Sequence, residues 1–287
     1  MTSTAARLLA GSFRSFAHSR ATLALNRASS SSRIGTPLVR GAHFARSAMA
    51  SFGPEPPPAK KAKENSWDKN GDTFNKVASS AAAERNRQPI ADVVVPLLAH
   101  LDCGLVVELA CGTGQHAAHV APSLPNLTWL PTDLTDESFG SVTHHTRGLE
   151  NVLEPGVLDA SDANWPDRFA GSWEPPVAVL VVNLTHISPW EATVGTVLGA
   201  AKLLEDTVNG LLMIYGPFKV KGEHTSEGNA TFDQSLRERD PAWGYRDVEA
   251  VESLGAAHGF VTEKVHEMPA NNLMLIMRRR AKIEPAE

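Results

Sequence analysis

Two carboxylates and a run of small residues between them are the part of this 287-residue chain best suited to chemistry. Glu108 ends the apolar stretch Val106-Val107 and is followed by Leu109-Ala110-Cys111-Gly112-Thr113-Gly114. In that loop Ala110, Gly112 and Gly114 let the backbone turn tightly and bring its N–H groups against a bound molecule. A buried acid beside such a loop calls for a hydroxyl or a cation. Asp133 stands 21 residues beyond Gly112, where an acid closing the next strand accepts hydrogen bonds from both hydroxyls of a ribose. Its alternative employment is to cap a helix expected over 137–146. Asp159 closes a third short strand, Gly156-Val157-Leu158-Asp159, with turn formation as its competing role. Beyond the wholly apolar run Val177–Val182 come Asn183, Thr185, His186 and Ser188. His186 is the best candidate for a general base, because its unperturbed pKa of about 6.5 suits proton abstraction. Otherwise its imidazole would order the Ser188-Pro189-Trp190 turn.

The elements that must position these groups alternate between strand and helix. A helical stretch over 78–99 is expected to break into two pieces at Pro89. Strands are expected at 104–109, 127–133, 156–159, 177–182 and 211–216, and a long helix from Pro189-Trp190 to Leu204. The run 177–182 is apolar at every position, as a central parallel strand buried on both faces requires. In such sheets ligands sit at the carboxyl ends of the strands, where all these polar groups fall. Residues 219–229 lack periodicity and suggest a mobile lid over that edge. Helices over 230–238 and 245–258 follow, with Gly259 at the position after the second. The segments 260–268 and 273–278, separated only by Pro269-Ala270-Asn271-Asn272, should form an antiparallel hairpin.

Charge divides the chain. Residues 1–50 hold seven arginines and no Asp, Glu or Lys, with Leu8, Leu9, Phe13, Phe16, Leu23 and Leu25 interleaved. That is the pattern of an organellar transit peptide, mitochondrial first and chloroplast second. Translation from Met49 would leave a cytoplasmic product. Fused to a fluorescent protein, residues 1–50 are expected to direct it into mitochondria; a diffuse cytosolic signal would refute import. Residues 51–66 read as a Pro/Lys-rich linker and 67–287 as one domain. Residues 51–287 carry 20 Lys and Arg against 32 Asp and Glu, which repels phosphate backbones and disfavours nucleic acid as a partner. No apolar run reaches the eighteen or so residues of a membrane span. Cys103 and Cys111 are too few for a thiolate metal site, and no Cys or carboxylate spacing completes one around His144-His145, so no metal is expected.

The acid followed by small-x-Gly-x-Gly resembles motif I of the Rossmann-like class I S-adenosylmethionine-dependent methyltransferases. Gly112-Thr113-Gly114-Gln115-His116-Ala117 also fits the dinucleotide fingerprint, which makes an NAD(P)-dependent oxidoreductase the rival. In dinucleotide folds, however, the first glycine usually closes directly on the strand, whereas here Leu109-Ala110-Cys111 intervene. The blocks AERNRQPI (83–90), ELACGTGQH (108–116), NLTHISPW (183–190), YGPFK (215–219), FDQSLRERDPAWGYRD (232–247) and MPANNL (268–273) together resemble the methyltransferase-like 26 family over residues 70–280. Ala110 departs mildly from the wider pattern, standing where the first glycine is usual.

The resemblance implies a three-layer α/β/α sandwich around a mostly parallel seven-stranded sheet with an antiparallel C-terminal strand. It implies S-adenosyl-L-methionine as cofactor, with Glu108, Ala110, Gly112, Gly114, Asp133, Asp159 and Asn183 as contact positions. The acceptor rim is expected from Tyr215, Phe218, Arg246, Asn271 and Asn272. Arg85, Asn86 and Arg87 are expected near the cofactor carboxylate or an anionic acceptor, or else in surface ion pairs. A small-molecule acceptor is favoured over a protein. A non-catalytic S-adenosylmethionine-binding protein is the third reading.

Overall fold

The strands of this chain are built to be covered on both faces, and a computed structural model describing residues 77–169 and 174–280 shows how. The leader, the linker and residues 67–76 lie outside the described residues. Helix α1 (Ala81–Leu98) leads into β1 (Leu105–Leu109), α2 (Gln115–Val120), β2 (Thr128–Asp133), α3 (Phe139–His145), the short β3 (Gly156–Val157) and β4 (Pro176–Val182). Then come α4 (Trp190–Leu203), β5 (Leu211–Gly216), β6 (Phe218–Val220), β7 (Glu223–His224), α5 (Glu227–Arg239), β8 (Arg246–Asp247), α6 (Val248–Ala257), β9 (Phe260–Met268) and β10 (Asn272–Arg279).

Seven strands form one sheet in the order β3-β2-β1-β4-β5-β10-β9. All neighbouring pairs are parallel except those of β10, which runs antiparallel to both β5 and β9. Alternation along each strand feeds two cores. Val106, Trp129, Leu180, Met213 and Ile276 meet Ile90, Val94 and Leu98 of α1 and Val120 of α2 on one face. Val107, Leu130, Val179, Ile214 and Leu275 meet Val197 of α4 and Val251 of α6 on the other. The result is the expected three-layer sandwich with its reversed strand, the class I methyltransferase fold. No helix among the described residues is long and apolar enough to cross a membrane.

Two expectations are corrected. Helix α1 does not break: it runs through Pro89 and Pro96, with Ser80 capping its N-terminus through Ala83 N–H. Burial of Ala83, Asn86, Ile90, Ala91, Val94 and Leu98 along one stripe outweighs the hydrogen bonds the prolines remove. Residues 219–229 are an ordered hairpin entering a helix. Strand β6 pairs with β7 and with β8 in a three-stranded sheet, and α5 begins at Glu227. The backbone N–H groups of its turn are held by distant acids: Lys221 donates to Glu249 at 3.0 Å and Gly222 to Asp247 at 2.6 Å.

Candidate cofactor and acceptor site

Strand β1 delivers the glycine loop at the carboxyl edge of the sheet, and the loop is held open by Asp133. The N–H of Gly112 donates to Asp133 Oδ2 at 2.7 Å, and Leu134 N–H donates to Oδ1 at 2.7 Å. Asp133 therefore braces the loop and does not cap α3, whose N-cap is Ser138. Ala110 and Gly112 take positive φ, 54° and 55°. A Cβ added to Gly112 would meet nothing within 4 Å, so the loop faces open space of the kind a ligand fills. Gly114 is glycine for another reason: at φ 80° its Cβ would lie 2.9 Å from Val142 Cα, so α3 packs directly on the loop.

Beneath the loop, Glu108 is 1% exposed and accepts from Trp129 Nε1 at 2.7 Å. Burial, partly offset by that bond and reinforced by the Asp133 charge, pushes its carboxyl up to about 7. Gln115 ties residues 79–84 across the loop: its side chain accepts from Ser80 N–H and Thr113 Oγ1 and donates to Ser79 and Glu84. Gln115 was not anticipated, since an amide opening a helix resembles any surface residue. Asp159 lies beside Asp133, next to Leu158, whose N–H donates to the Asp133 carbonyl. Its exposed side chain accepts from Ser161 N–H and Oγ in a local turn.

At the neighbouring strand ends, Asn183 (φ 59°) donates its N–H to the Tyr215 carbonyl, crossing from β4 to β5. His186 is 5% exposed, and its Nδ1 has no hydrogen-bond partner. A Cβ on Gly216 would stand 3.4 Å from that nitrogen and 3.9 Å from Asn183 Oδ1, ordinary van der Waals contact, so the three residues meet at one point of the strand ends. The 183–190 turn is held by other groups. Ser188 Oγ donates to the Leu184 carbonyl, and Arg246 donates to the carbonyls of Thr185, Ser188 and Ala242. Around His186 stand the rings of Phe232, at 6.2 Å between centroids, and Tyr245, at 6.1 Å. Burial and the Arg246 charge, opposed by Asp233, lower His186 to about 4, so its imidazole is neutral at physiological pH.

The expected rim divides. Tyr215 is buried, and burial raises its phenol while the amides of Asn86 and Asn272 and the charge of Arg85 pull it back, which brings four anticipated residues together. Asn271 is exposed at the hairpin tip, its carbonyl accepting from Asn229 Nδ2 at 3.2 Å. Arg87 pairs with Glu84 at 2.9 Å on the surface. Phe218 is corrected: at 0% exposure it is a core side chain packed with Val248, Val251 and Phe260, because it falls on the inward face of β6. Arg246 is also drawn inward, spending its donors on three carbonyls and lying over Trp190 at 5.8 Å. Asp233 was missed. It is 4% exposed and collects Tyr245 N–H at 2.6 Å, His224 Nε2 at 2.9 Å and Arg237 Nε at 3.3 Å. The stripe Asn229, Asp233, Leu236 on α5, spaced by four and three residues, is the signal that would have turned it inward.

These buried groups predict an asymmetric pH dependence. His116, like His186, is lowered from 6.5 to about 4, by burial and then by the His119 charge. The unfolded chain takes up these protons first, so acidification from 6.5 to 4 costs about 3 kcal/mol for each histidine. Glu108 works in the opposite direction: its folded pKa is raised, so its contribution is present below its unfolded value and lost as pH rises through about 7. Urea midpoints should therefore climb between pH 4.5 and 6.5. The double variant His116→Asn, His186→Asn should lose most of that climb; an unchanged slope would mean the imidazoles are protonated in the fold.

Solved structures share this architecture. An O-methyltransferase family protein from Burkholderia thailandensis matches with a TM-score of 0.56 at 21% identity, over 70% of this chain and 58% of that one. Human N-acetylserotonin methyltransferase, solved in complex with SAM, matches at 0.55 and 11% identity, over 70% and 53%. The mitomycin 7-O-methyltransferase MmcR matches at 0.53 and 13% identity, over 69% and 54%. The chain spans little more than half the length of these proteins, and at such identities the likeness concerns the fold. Residues 77–279 match the family described as "Protein of unknown function (DUF938)", which is most of the chain, and the chain belongs to that family.

Proposed function

We propose that this chain is an S-adenosylmethionine-dependent methyltransferase of the methyltransferase-like 26 type, acting on a small-molecule acceptor. The observation that carries the reading is the Gly112–Asp133 bond, which holds a backbone loop at positive φ over open space at the carboxyl edge of a class I sheet. The reversed strand β10 counts against a nicotinamide dinucleotide fold, in which the sheet is ordinarily parallel throughout. The residues present fit an adenosyl ligand. Asp133 keeps free lone pairs for ribose hydroxyls, Leu134 is exposed beside it, Asp159 lies at the next strand end, and Glu108 has one carboxylate oxygen without a partner.

When bound, the cofactor supplies a methyl group on a sulfonium, open to in-line displacement. The chain's own task is alignment and proton removal. His186 Nδ1, buried and without a partner, accepts the proton that an acceptor O–H, S–H or N–H loses. Asp233, whose charge raises the His186 pKa, stabilises the imidazolium formed. The rings of Phe232 and Tyr245 stand beside the same imidazole. Mitomycin 7-O-methyltransferase and N-acetylserotonin methyltransferase, which share the fold, are named for small-molecule acceptors, and this favours a small acceptor here. Incubating the purified protein with methyl-labelled cofactor and organelle extract should transfer label to a low-molecular-weight product; label confined to protein would refute that acceptor class, and a bound cofactor with no transfer would favour a non-catalytic binding protein.

A further inference from the structure

Glu108 is 1% exposed at the loop's base, yet only half of its carboxylate is accounted for: Oε2 accepts from Trp129, and Oε1 has no partner. The atom facing Oε1 is His116 Nδ1, 3.8 Å away and itself nearly buried. The other ring nitrogen, Nε2, lies 2.8 Å from Asn86 Oδ1. An amide oxygen only accepts, so Nε2 carries the ring proton and Nδ1 presents a lone pair. Asn86 is held in that orientation because its amide also serves the Tyr215 hydroxyl. Two acceptors thus face one another in a dry site, where an uncompensated carboxylate is costly.

We propose that Glu108 Oε1 and His116 Nδ1 form a single cation subsite in which a proton and a positively charged group of the ligand compete, so that seating S-adenosylmethionine expels a proton to solvent. Without ligand, Glu108 is a carboxylic acid whose O–H points at Nδ1. With ligand, the carboxylate and the Nδ1 lone pair face the cation and the proton has left to water; no bond of the ligand breaks. A primary ammonium, with three N–H donors, satisfies both acceptors at once. The surrounding charges agree. Burial, reinforced by the Asp133 carboxylate, holds the proton on Glu108, pushed up to about 7, and burial, with His119 second, keeps His116 neutral. His116 and Asn86 are positioning residues in this arrangement, acting through Glu108.

This inference rests on the cofactor reading above, and one titration separates the two. Calorimetry of the full chain with S-adenosylmethionine, in buffers of different ionisation enthalpy, should show release of about one proton per cofactor near pH 6, with affinity rising about tenfold per pH unit until a bend near 7. Glu108→Gln should abolish the release and flatten the profile. His116→Asn, which removes the lone pair that steadies the acid proton, should move the bend to lower pH, and it keeps the test alive if the glutamine variant does not fold. Binding without proton exchange in the wild-type protein would overturn this inference alone. Absence of binding at every pH would overturn the cofactor reading and this one together.

Discussion

Asp133→Ala should weaken S-adenosylmethionine binding by at least 100-fold. The carboxylate has two employments that one substitution removes together. It accepts from the backbone of Gly112 and Leu134, both at 2.7 Å, and it offers its remaining lone pairs to the ribose. Charge-assisted bonds of this kind contribute about 1.5–3 kcal/mol each, so losing the ribose contacts alone gives roughly the stated factor. Release of the Gly112 amide then lets the loop relax from a conformation it holds at positive φ, adding to the loss. Asp133→Asn, which keeps one acceptor oxygen, should fall between alanine and wild type. Equilibrium titration calorimetry reads the difference; an alanine variant with unchanged affinity would place the ligand away from this loop.

His186→Ala should lower kcat by about 10² to 10⁴ while leaving cofactor affinity within about twofold, the signature of a group that handles a proton and does not hold the nucleotide. The pH profile should be unusual for a histidine base. With His186 lowered to about 4, the base is already unprotonated at pH 5, so the acid limb of kcat should lie near pH 4 and not near 6.5. A limb near 6.5 that survives in the alanine variant would assign the proton transfer to another group. Equal loss of kcat and of cofactor binding would make His186 a structural residue of the turn.

The central strands were legible because they are buried on both faces. Leu211–Gly216 and the core of Pro176–Val182 read as continuous apolar runs, and a sheet interior tolerates nothing else. The terminal hairpin was equally plain, since two extended segments joined by four residues have few ways to meet. Residues 219–229 misled because they are polar for a different reason than mobility: a surface hairpin needs no apolar stripe when its backbone is satisfied by carboxylates more than twenty positions away. Phe218 misled because one residue decides which face of a short strand turns inward.

The site shows the same division. Glu108, Gly112, Asp133 and His186 carry recognisable chemistry at recognisable spacings, and the structure brings them to one edge of the sheet. Their supporting cast was hidden. Gln115 and Asp233 act through contacts over 35 and 12 residues of separation, and a polar side chain on a helix gives no sign in sequence of which distant backbone it will hold. Arg246 shows the converse: a cation close to a binding rim is a natural ligand contact until three carbonyls are found to occupy it.

The most direct measurement is a crystal structure of the protein grown with S-adenosylhomocysteine. The adenosyl group should lie in the space beside Gly112 with its ribose hydroxyls on Asp133 and its sulfur turned toward the His186 end of β4. An adenosyl group bound elsewhere, or a loop left bare at saturating S-adenosylhomocysteine, would contradict the account.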